Sequence, residues 1–274
     1  GRRGDRTPET SRITKSQEGK LNLQPFLDFA LQMAIDAGKI TLDYFQKETR
    51  ADYKDDDSPV TIADKKAEEL MRSRIEKKFS THAILGEEYG RSDTDSEFRW
   101  IIDPIDGTKA FLRGVPFYGV LIGLEIAGQS HVGVVYFPAL NDLVYAATGL
   151  GCFWNGKPSR VSQTAELDRS FVAFSDVRNM EKYGKKKAWE KIQNNTYYRA
   201  GWSDAYGHAL VATGRIEIML DPVINDWDGG AFPPILREAG GYFGDWHGNE
   251  TIYGGEAMST STLLLPKILK LIHQ

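Results

Sequence analysis

An acidic turn directly after a short apolar run constrains this chain more than any other feature. The apolar residues Trp100-Ile-Ile lead into segment 103–108, which reads Asp-Pro-Ile-Asp-Gly-Thr. A run of this kind predicts a buried strand that ends at the proline and glycine, and the residues from Lys109 onward predict the start of a helix. The fold must therefore accommodate two carboxylates at the end of a buried strand, where they need a cation nearby.

The spacing of these carboxylates suits a metal site. Asp103 and Asp106 lie three residues apart around a proline that restricts the turn, so both side chains can face one point. Glu87 and Glu88 close another predicted strand and would add oxygen ligands of the kind that Mg²⁺ prefers. A second ion nearby could share the same carboxylates during phosphoryl transfer. Each acid taken alone could instead be a turn former or a helix cap, but the combination favours the metal site.

The same turn offers an anion site. Gly107 and Thr108 stand at the predicted start of a helix, where backbone N–H groups and a hydroxyl suit a phosphate oxygen. The sequence therefore predicts a metal site and a phosphate site side by side.

The rest of the chain predicts a helical beginning, an antiparallel sheet and then alternating helices and strands. We expect a helix from Pro25, a second helix from a capping box at Thr61 and Asp64 to near Phe79, and a strand at 83–85. The further predicted elements are strands at 118–126, 131–137, 143–148 and 151–154 with a turn at Asn155-Gly156, then strand 171–174, helix 185–193, strand 197–200, helix 205–213, strand 216–220 and helix 227–239.

This pattern predicts one compact unit over residues 23–274. Its first half, 23–160, would be α+β and carry the metal site, and its second half, 161–274, would be α/β and determine the substrate. Residues 1–22 are predicted to be a disordered arm or a leftover of the expression vector, because they lack large apolar side chains. The acidic loop 55–57 is interpreted as a solvated turn without a ligand role.

Composition excludes several classes of protein. The net charge of −4 gives no overall basic field for nucleic acid or anionic lipid. Cys152 is the only cysteine, so neither an internal disulfide nor a cysteine-based zinc site can form. A reducing compartment follows, and we predict the cytoplasm, or a plastid if an upstream targeting segment was removed. No apolar stretch approaches the ~20 residues of a membrane-spanning helix.

The motifs together resemble the inositol monophosphatase superfamily of magnesium-dependent, lithium-sensitive phosphatases. The matching segments are 60–64 (Val-Thr-Ile-Ala-Asp), 86–88 (Gly-Glu-Glu), 100–108 and 227–241, and they occur in order over most of the chain. The resemblance implies a five-layered αβαβα sandwich, of α+β or α/β class, that usually forms a homodimer.

The resemblance also implies a role for each matched residue. Asp64 would orient Thr108 and, with Glu87, help to activate the attacking water, while Gly107 and Thr108 would bind the phosphate. A third, weak metal could lie near Glu88. The implied Mg²⁺ ligands are Glu87, Asp103 and the carbonyl of Ile105 for the first ion, and Asp103, Asp106 and Asp228 for the second.

The choice of phosphate ester depends on the second half. Segment 199–215 resembles the histidinol-phosphate phosphatase branch of the superfamily more than the inositol branch. Histidinol carries an ammonium and an imidazole, and a desolvated cation needs a carboxylate partner, whereas inositol presents only hydroxyls. Asp204 and Asp221 are therefore the candidates for recognising the leaving group, with Ser203 and Arg199 beside them. Asp204 could also simply cap the next helix, and both roles could coexist.

We predict a phosphomonoesterase that hydrolyses L-histidinol phosphate by attack of an activated water, in histidine biosynthesis. Its partners would be this small-molecule ester and a second copy of the chain, without nucleic acid or membrane. Inositol monophosphatase is the first alternative. A 3′(2′),5′-bisphosphate nucleotidase or a sugar bisphosphatase is less favoured, because we find no added basic or aromatic cluster for an adenine and second phosphate. A non-catalytic phosphate-binding protein is the alternative from another class.

Overall fold

The structure, a computed structural model, describes residues 21–47, 50–55, 59–92 and 94–274. The predicted arm at 1–22 lies almost wholly outside these residues, as do Asp56 and Asp57 of the acidic loop. The helices of the described part are α1 (Gln24–Tyr44), α2 (Ile62–Lys78), α3 (Thr108–Leu112), α4 (Val177–Lys182), α5 (Lys186–Asn195), α6 (Asp204–Ala212), α7 (Asp226–Gly229), α8 (Phe232–Glu238) and α9 (Leu265–His273).

The strands form one large sheet, one smaller sheet and a short N-terminal pair. They are β1 (Ala51–Tyr53), β2 (Pro59–Thr61), β3 (Ala83–Gly86), β4 (Gly90–Arg91), β5 (Phe98–Asp106), β6 (Gly119–Ile126), β7 (Gln129–Phe137), β8 (Asp142–Ala147), β9 (Gly151–Trp154), β10 (Lys157–Pro158), β11 (Phe171–Phe174), β12 (Tyr198–Ala200), β13 (Ile218–Asp221), β14 (Gly241–Gly244) and β15 (Ala257–Ser261). The eight-stranded sheet has the order β10-β9-β8-β7-β6-β5-β3-β4, and the five-stranded sheet has the order β12-β11-β13-β15-β14. The large sheet is antiparallel except for the β3–β5 pair.

Alternating side chains of the large sheet face two different cores. Ile102 and Val134 pack against α1 and α2, whereas Ile101 and Val135 pack against α6 and α8. The five-stranded sheet covers the other side of α6 and α8, and its outer face packs against α5 and α9. Successive strand residues point to opposite faces, so two helix layers enclose the large sheet. The result is the predicted five-layered αβαβα sandwich, which the structure confirms.

Local sequence explains where the elements that support the site begin. The predicted capping box is confirmed, because the Thr61 hydroxyl accepts from the N–H of Asp64 while Asp64 accepts from the N–H of Thr61. The Asn155-Gly156 turn joins β9 to β10 with both residues at positive φ, as a tight hairpin requires. None of the described helices combines the length and apolar content that a bilayer crossing needs.

One helix prediction is wrong. Residues 227–239 do not form a single helix, because α7 ends at Gly229 and α8 begins at Phe232. Pro233 and Pro234 lack the N–H groups that a continuous helix would use, and they suit the first turn of a new one. Seven further elements of the described residues were not predicted: the helices α4 and α9 and the strands β1, β2, β4, β14 and β15.

Candidate active site

Three carboxylates converge where β5 ends against α7. Asp103 and Asp106 come from β5, whose pairing with β6 is irregular between these two residues, and Asp228 comes from α7. One carboxylate oxygen from each lies within 4.8 Å of the others. The break after Gly229 thus separates α7, whose Asp228 reaches the other two carboxylates, from α8, which packs in the core.

Backbone N–H groups fix one oxygen of each carboxylate. Asp103 Oδ1 accepts from the N–H of Ile105 at 3.0 Å, and Asp228 Oδ2 accepts from the N–H of Asn225 at 2.7 Å. Asp106 Oδ2 accepts from the N–H of Ala205, at the start of α6, at 2.8 Å. The other oxygen of Asp103 is buried and has no hydrogen-bond partner. A buried carboxylate oxygen without a partner is costly unless a cation joins it.

The electrostatics of the cluster suit a divalent cation. Burial, followed by repulsion from neighbouring carboxylates, raises the pKa of Asp103 and of Asp106 well above the usual value. Burial likewise raises the pKa of Asp228 to about 8, against the hydrogen bond from Asn225. Carboxylates crowded in this way hold protons that a hard metal ion can replace. The donor set therefore fits Mg²⁺ or a similar ion.

Glu87 and Glu88 follow β3 in a turn that a buried glutamate holds in place. Glu68 accepts from the N–H of Glu88 at 2.7 Å and from the N–H of Tyr89 at 3.1 Å. A Cβ at Gly86 would collide with the Glu68 carboxylate, so only glycine allows this close approach. Glu87 lines the same cavity as the three aspartates.

Lys54 pairs with both glutamates and was not foreseen from the sequence. Its ammonium lies 3.1 Å from Glu87 Oε1 and 2.9 Å from Glu88 Oε1. Burial opposes the charge of Lys54, but the two glutamates outweigh it and raise its pKa. Burial and the neighbouring Glu87 raise the pKa of Glu88 to about 7. In this structure the ammonium occupies the side of Glu88 where a third metal was expected.

Asp64 and Thr108 meet as the resemblance implied. The Thr108 hydroxyl is 3.2 Å from Asp64 Oδ1 and 3.1 Å from the carbonyl of Ile105. Asp64 is buried, which raises its pKa to about 6. Gly107 precedes α3 with a φ of +82°, a left-handed conformation that favours glycine.

Two adjoining cavities share the aspartate cluster. One, of about 180 Å³, is lined by the predicted metal and phosphate residues Glu87, Asp103, Ile105, Asp106, Gly107, Thr108 and Asp228, together with Lys109 and Asp204. The other, of about 300 Å³, extends away from them toward α4 and α6. Of the predicted substrate residues, the larger cavity is lined by Ser203, Asp204 and Asp221. Arg199 lines neither cavity, and its guanidinium instead donates to the carbonyl of Thr196 at 2.6 Å.

Asp204 stands at the boundary between these cavities. It is the first residue of α6, and the N-cap position is taken by Ser203, whose hydroxyl donates to Asp204 Oδ2 at 3.1 Å. Burial and the nearby Asp221 raise the pKa of Asp204. Ser203 has a φ of +47°, a conformation that costs a non-glycine residue about 1–3 kcal/mol and is typical of functional sites.

Sequence reasoning missed several residues of the larger cavity. Lys109 could have been noticed, since it directly follows the acidic turn. The others come from α4 and α6 and carry no local motif. The missed lining residues are Lys109, Ser175, Asp176, Asn179 and His208.

Comparison with known proteins agrees with this geometry. The model of the inositol monophosphatase family matches residues 22–274. The histidinol-phosphatase of Chlorobaculum parvum is 43% identical over 237 residues, covering 86% of this chain and 92% of the relative. The histidinol-phosphatase of Mycobacterium tuberculosis is 35% identical over 249 residues, covering 89% of this chain and 96% of the relative.

The comparison with solved structures indicates the same family. The inositol monophosphatase from Anabaena sp. PCC 7120 superposes with a TM-score of 0.81 at 32% sequence identity, over 92% of this chain and 97% of that structure. The acidic cluster, the fold and the matched length agree, and the chain therefore belongs to the inositol monophosphatase family of phosphomonoesterases.

Proposed function

We propose that this protein is a Mg²⁺-dependent phosphatase that hydrolyses L-histidinol phosphate to L-histidinol and phosphate. The acidic cavity beside the aspartate cluster carries the proposal. Besides the proposed metal ligands Asp106 and Asp228, this cavity is lined by Asp176, Asp204 and Asp221, and Lys109 is the only lysine or arginine among its described lining residues. A leaving group that carries positive charge fits such walls, whereas neutral inositol would leave these carboxylates uncompensated. The similarity to two histidinol-phosphatases supports the same substrate.

The residues that would hold the metal are the ones at the aspartate cluster. Glu87, Asp103 and the carbonyl of Ile105 would bind one Mg²⁺, and Asp103, Asp106 and Asp228 would bind another. Bound Mg²⁺ supplies positive charge that stabilises the phosphoryl oxygens and makes water a better nucleophile. We propose two Mg²⁺ ions per active site. A third could bind near Glu88 only if the Lys54 side chain moves away.

The chain's own groups would orient the phosphate and receive the proton. Gly107 and Thr108 present backbone N–H groups at the start of α3, and the Thr108 hydroxyl can donate to Asp64 so that its oxygen lone pairs face the water. Asp64, with a pKa of about 6, has the basicity expected of a group that takes up a proton near neutral pH. The remaining proton acceptor nearby is Glu87.

Recognition of the leaving group falls to Asp204 and Asp221. Asp221 ends β13 at the floor of the larger cavity, and the Ser175 hydroxyl donates to its Oδ1 at 2.6 Å. Asp204 lies between Asp221 and the phosphate subsite, so the two carboxylates can meet an ammonium and an imidazole on one extended ligand. We do not assign Arg199 a part in this recognition.

Phosphate release from histidinol phosphate and inositol 1-phosphate, measured side by side with and without Mg²⁺, tests the proposal. We expect Mg²⁺-dependent release and a higher kcat/KM for histidinol phosphate. Glu87→Gln and Asp103→Asn should each abolish release from both esters, and turnover in both variants would contradict the metal assignment. A preference for inositol 1-phosphate would contradict the proposed substrate but not the fold or the metal site. The chain would then resemble the Anabaena inositol monophosphatase in substrate as well as in fold.

The family resemblance also supports three finer proposals. We propose that the enzyme is a homodimer, that Li⁺ inhibits it, and that it acts in histidine biosynthesis. Light scattering of the purified protein, a Li⁺ titration of phosphate release, and complementation of a histidine auxotroph that lacks this phosphatase activity test them one by one.

A further inference from the structure

A chain of largely buried polar groups surrounds Asp221 in the wall of the larger cavity. Ser175 donates to Asp221 Oδ1, and His208 Nε2 lies 3.7 Å from Asp221 Oδ2. On the far side of the imidazole, His208 Nδ1 lies 2.6 Å from the hydroxyl of Ser259. His208 and Asp221 retain only 3% and 9% of their side-chain exposure. The sequence gives no sign of this arrangement, because these residues come from four separate elements.

The imidazole of His208 is held in one orientation. The ring centroids of Phe232 and Phe243 each lie 5.1 Å from that of His208, with Phe232 tilted and Phe243 edge-on to the imidazole. Ser259 belongs to β15 and pairs directly with Met219 on β13, the strand that ends at Asp221. Strand pairing therefore sets the position of the Ser259 hydroxyl relative to Asp221, and the aromatic rings restrict rotation of the imidazole.

With the Ser259 hydroxyl beside Nδ1, the Nε2 atom of the imidazole is the one that faces Asp221. If the Ser259 hydroxyl donates to Nδ1, the ring proton is on Nε2 and faces Asp221. The opposite tautomer would direct a nitrogen lone pair at a carboxylate, which is repulsive. The distance of 3.7 Å is too long for a good hydrogen bond in this structure, but the N–H dipole still points toward the oxygen. His208 thus faces the second oxygen of Asp221 in the wall of the larger cavity.

The chemical type of the residue beside Asp221 affects how strongly Asp221 can attract a cationic ligand. No lysine or arginine of the described residues forms an ion pair with Asp221 within 4.0 Å. A lysine or arginine in place of His208 would neutralise Asp221 and repel a cationic ligand. An imidazole N–H donor orients the carboxylate without the permanent positive charge of a lysine or arginine.

We propose that His208 is a positioning residue that determines substrate specificity: it holds Asp221 in the orientation that receives the cationic part of the leaving group. This inference rests on the proposed function, because it needs a leaving group with positive charge. His208 does not touch the phosphate subsite, so it should act on binding of the cation and leave hydrolysis itself unchanged.

The experiment compares His208→Leu, which removes the donor, with His208→Gln, whose amide can reach Asp221. KM and kcat are measured on histidinol phosphate and on p-nitrophenyl phosphate, which has no cationic group. We expect His208→Leu to raise KM for histidinol phosphate about tenfold, with kcat and both constants for the aryl ester within about twofold of wild type. His208→Gln should restore most of the affinity. Ser175→Ala, which releases the other oxygen of Asp221, should raise the same KM selectively.

Thr260→Val is the matched control. Thr260 neighbours Ser259 on β15, is buried, and has a hydroxyl without a hydrogen-bond partner, so this near-isosteric change should leave all four constants as in wild type. Equal KM increases on both esters, or an unchanged KM for histidinol phosphate in His208→Leu, would overturn the proposal. If His208→Leu fails to fold, selective effects of Ser175→Ala and Ser259→Ala support the proposal, and their absence overturns it. A wild-type enzyme without activity on histidinol phosphate would instead refute the proposed function, so the two failures are distinguishable.

Discussion

Two glycines in the large sheet set the position of Asp228, and replacing either should disturb the metal site. Gly123 on β6 and Gly133 on β7 pair directly with each other. The backbone of residues 230–231, which joins α7 to α8, rests on this glycine pair. Asp228 lies two residues before that contact. Because Gly123 and Gly133 have no side chains, residues 230–231 can lie directly on the sheet. This contact determines how closely Asp228 approaches β5.

The size of the effect follows from the geometry. A Cβ on Gly133 would lie 2.8 Å from the carbonyl carbon of Ala231 and closer still to its oxygen, whereas ordinary contact begins at 3.4 Å. The obstacle is backbone on both sides, so it cannot yield by rotating a side chain, and residues 230–231 must withdraw by about 1 Å. Overpacking of this kind costs about 3 kcal/mol. A displacement of about 1 Å at catalytic groups lowers kcat/KM about a hundredfold.

Two experiments test Gly133→Ala. Urea unfolding with and without Mg²⁺ measures the loss of stability, and Mg²⁺ titration of phosphate release measures the loss of activity. Gly128→Ala is the control, because Gly128 lies in the β6–β7 turn at a φ of +81° with no atom near its added Cβ. It should lose about 1 kcal/mol of stability through backbone strain alone and keep its Mg²⁺ dependence. A Gly133→Ala protein with wild-type stability and Mg²⁺ dependence would refute the reasoning, as would a control that weakens Mg²⁺ dependence equally.

Three further predictions address charge. Asp204→Ala should raise KM for histidinol phosphate about tenfold or more but leave KM for p-nitrophenyl phosphate nearly unchanged, since only the first substrate has a cation to lose; equal effects would exclude recognition by Asp204. Because burial raises the folded-state pKa of Asp228 to about 8 from its ordinary value of 3.8, the protonated carboxyl stabilises the metal-free protein fully below about pH 4, and this contribution is lost as pH rises from there through about 8. Calorimetry should therefore show the Tm of the metal-free protein falling between about pH 4 and pH 8, with saturating Mg²⁺ flattening the decline, and a rising Tm would contradict the assignment. Lys54→Met should lower the stability of the metal-free protein by about 1 kcal/mol. Chemical unfolding should show a smaller stability difference between this variant and wild type with Mg²⁺ bound, because the ion replaces the lost positive charge. An equal difference with and without Mg²⁺ would show that the ion does not compensate for Lys54.

The sequence predicted those parts of the molecule whose signal is local. The helix from Pro25 and the capping box at Thr61 depend on neighbouring residues, and both are present. The strand at Trp100 is present too, but it continues through the predicted acidic turn to Asp106. The predicted helix at 227–239 failed for a different reason. Its apolar spacing is helical, but Pro233 and Pro234 favour a new helix start, and residues 230–231 pack closely on the glycines of β6 and β7, a long-range contact that the local sequence does not show.

The same distinction applies to the candidate site. The predicted metal and phosphate residues occupy short contiguous motifs, and the structure places all of them around one cavity. The larger cavity is assembled from residues such as Ser175, Asn179 and His208, which stand on different elements and carry no motif of their own. Arg199 lines neither of these two cavities, and its guanidinium donates to the carbonyl of Thr196, so the structure does not bring it to the other predicted substrate residues.

Asp106 connects the two parts of the site. It belongs to the turn of the large sheet that provides the metal ligands, yet its Oδ2 accepts from the N–H of Ala205, the residue that follows Asp204 on α6. A shift of α6 would therefore change the orientation of a metal ligand and of the carboxylate that meets the leaving group together. Substitutions that alter substrate preference by moving α6 should for this reason also change the Mg²⁺ requirement. Substitutions that only remove a side chain of the larger cavity other than the proposed metal ligands Asp106 and Asp228 should not.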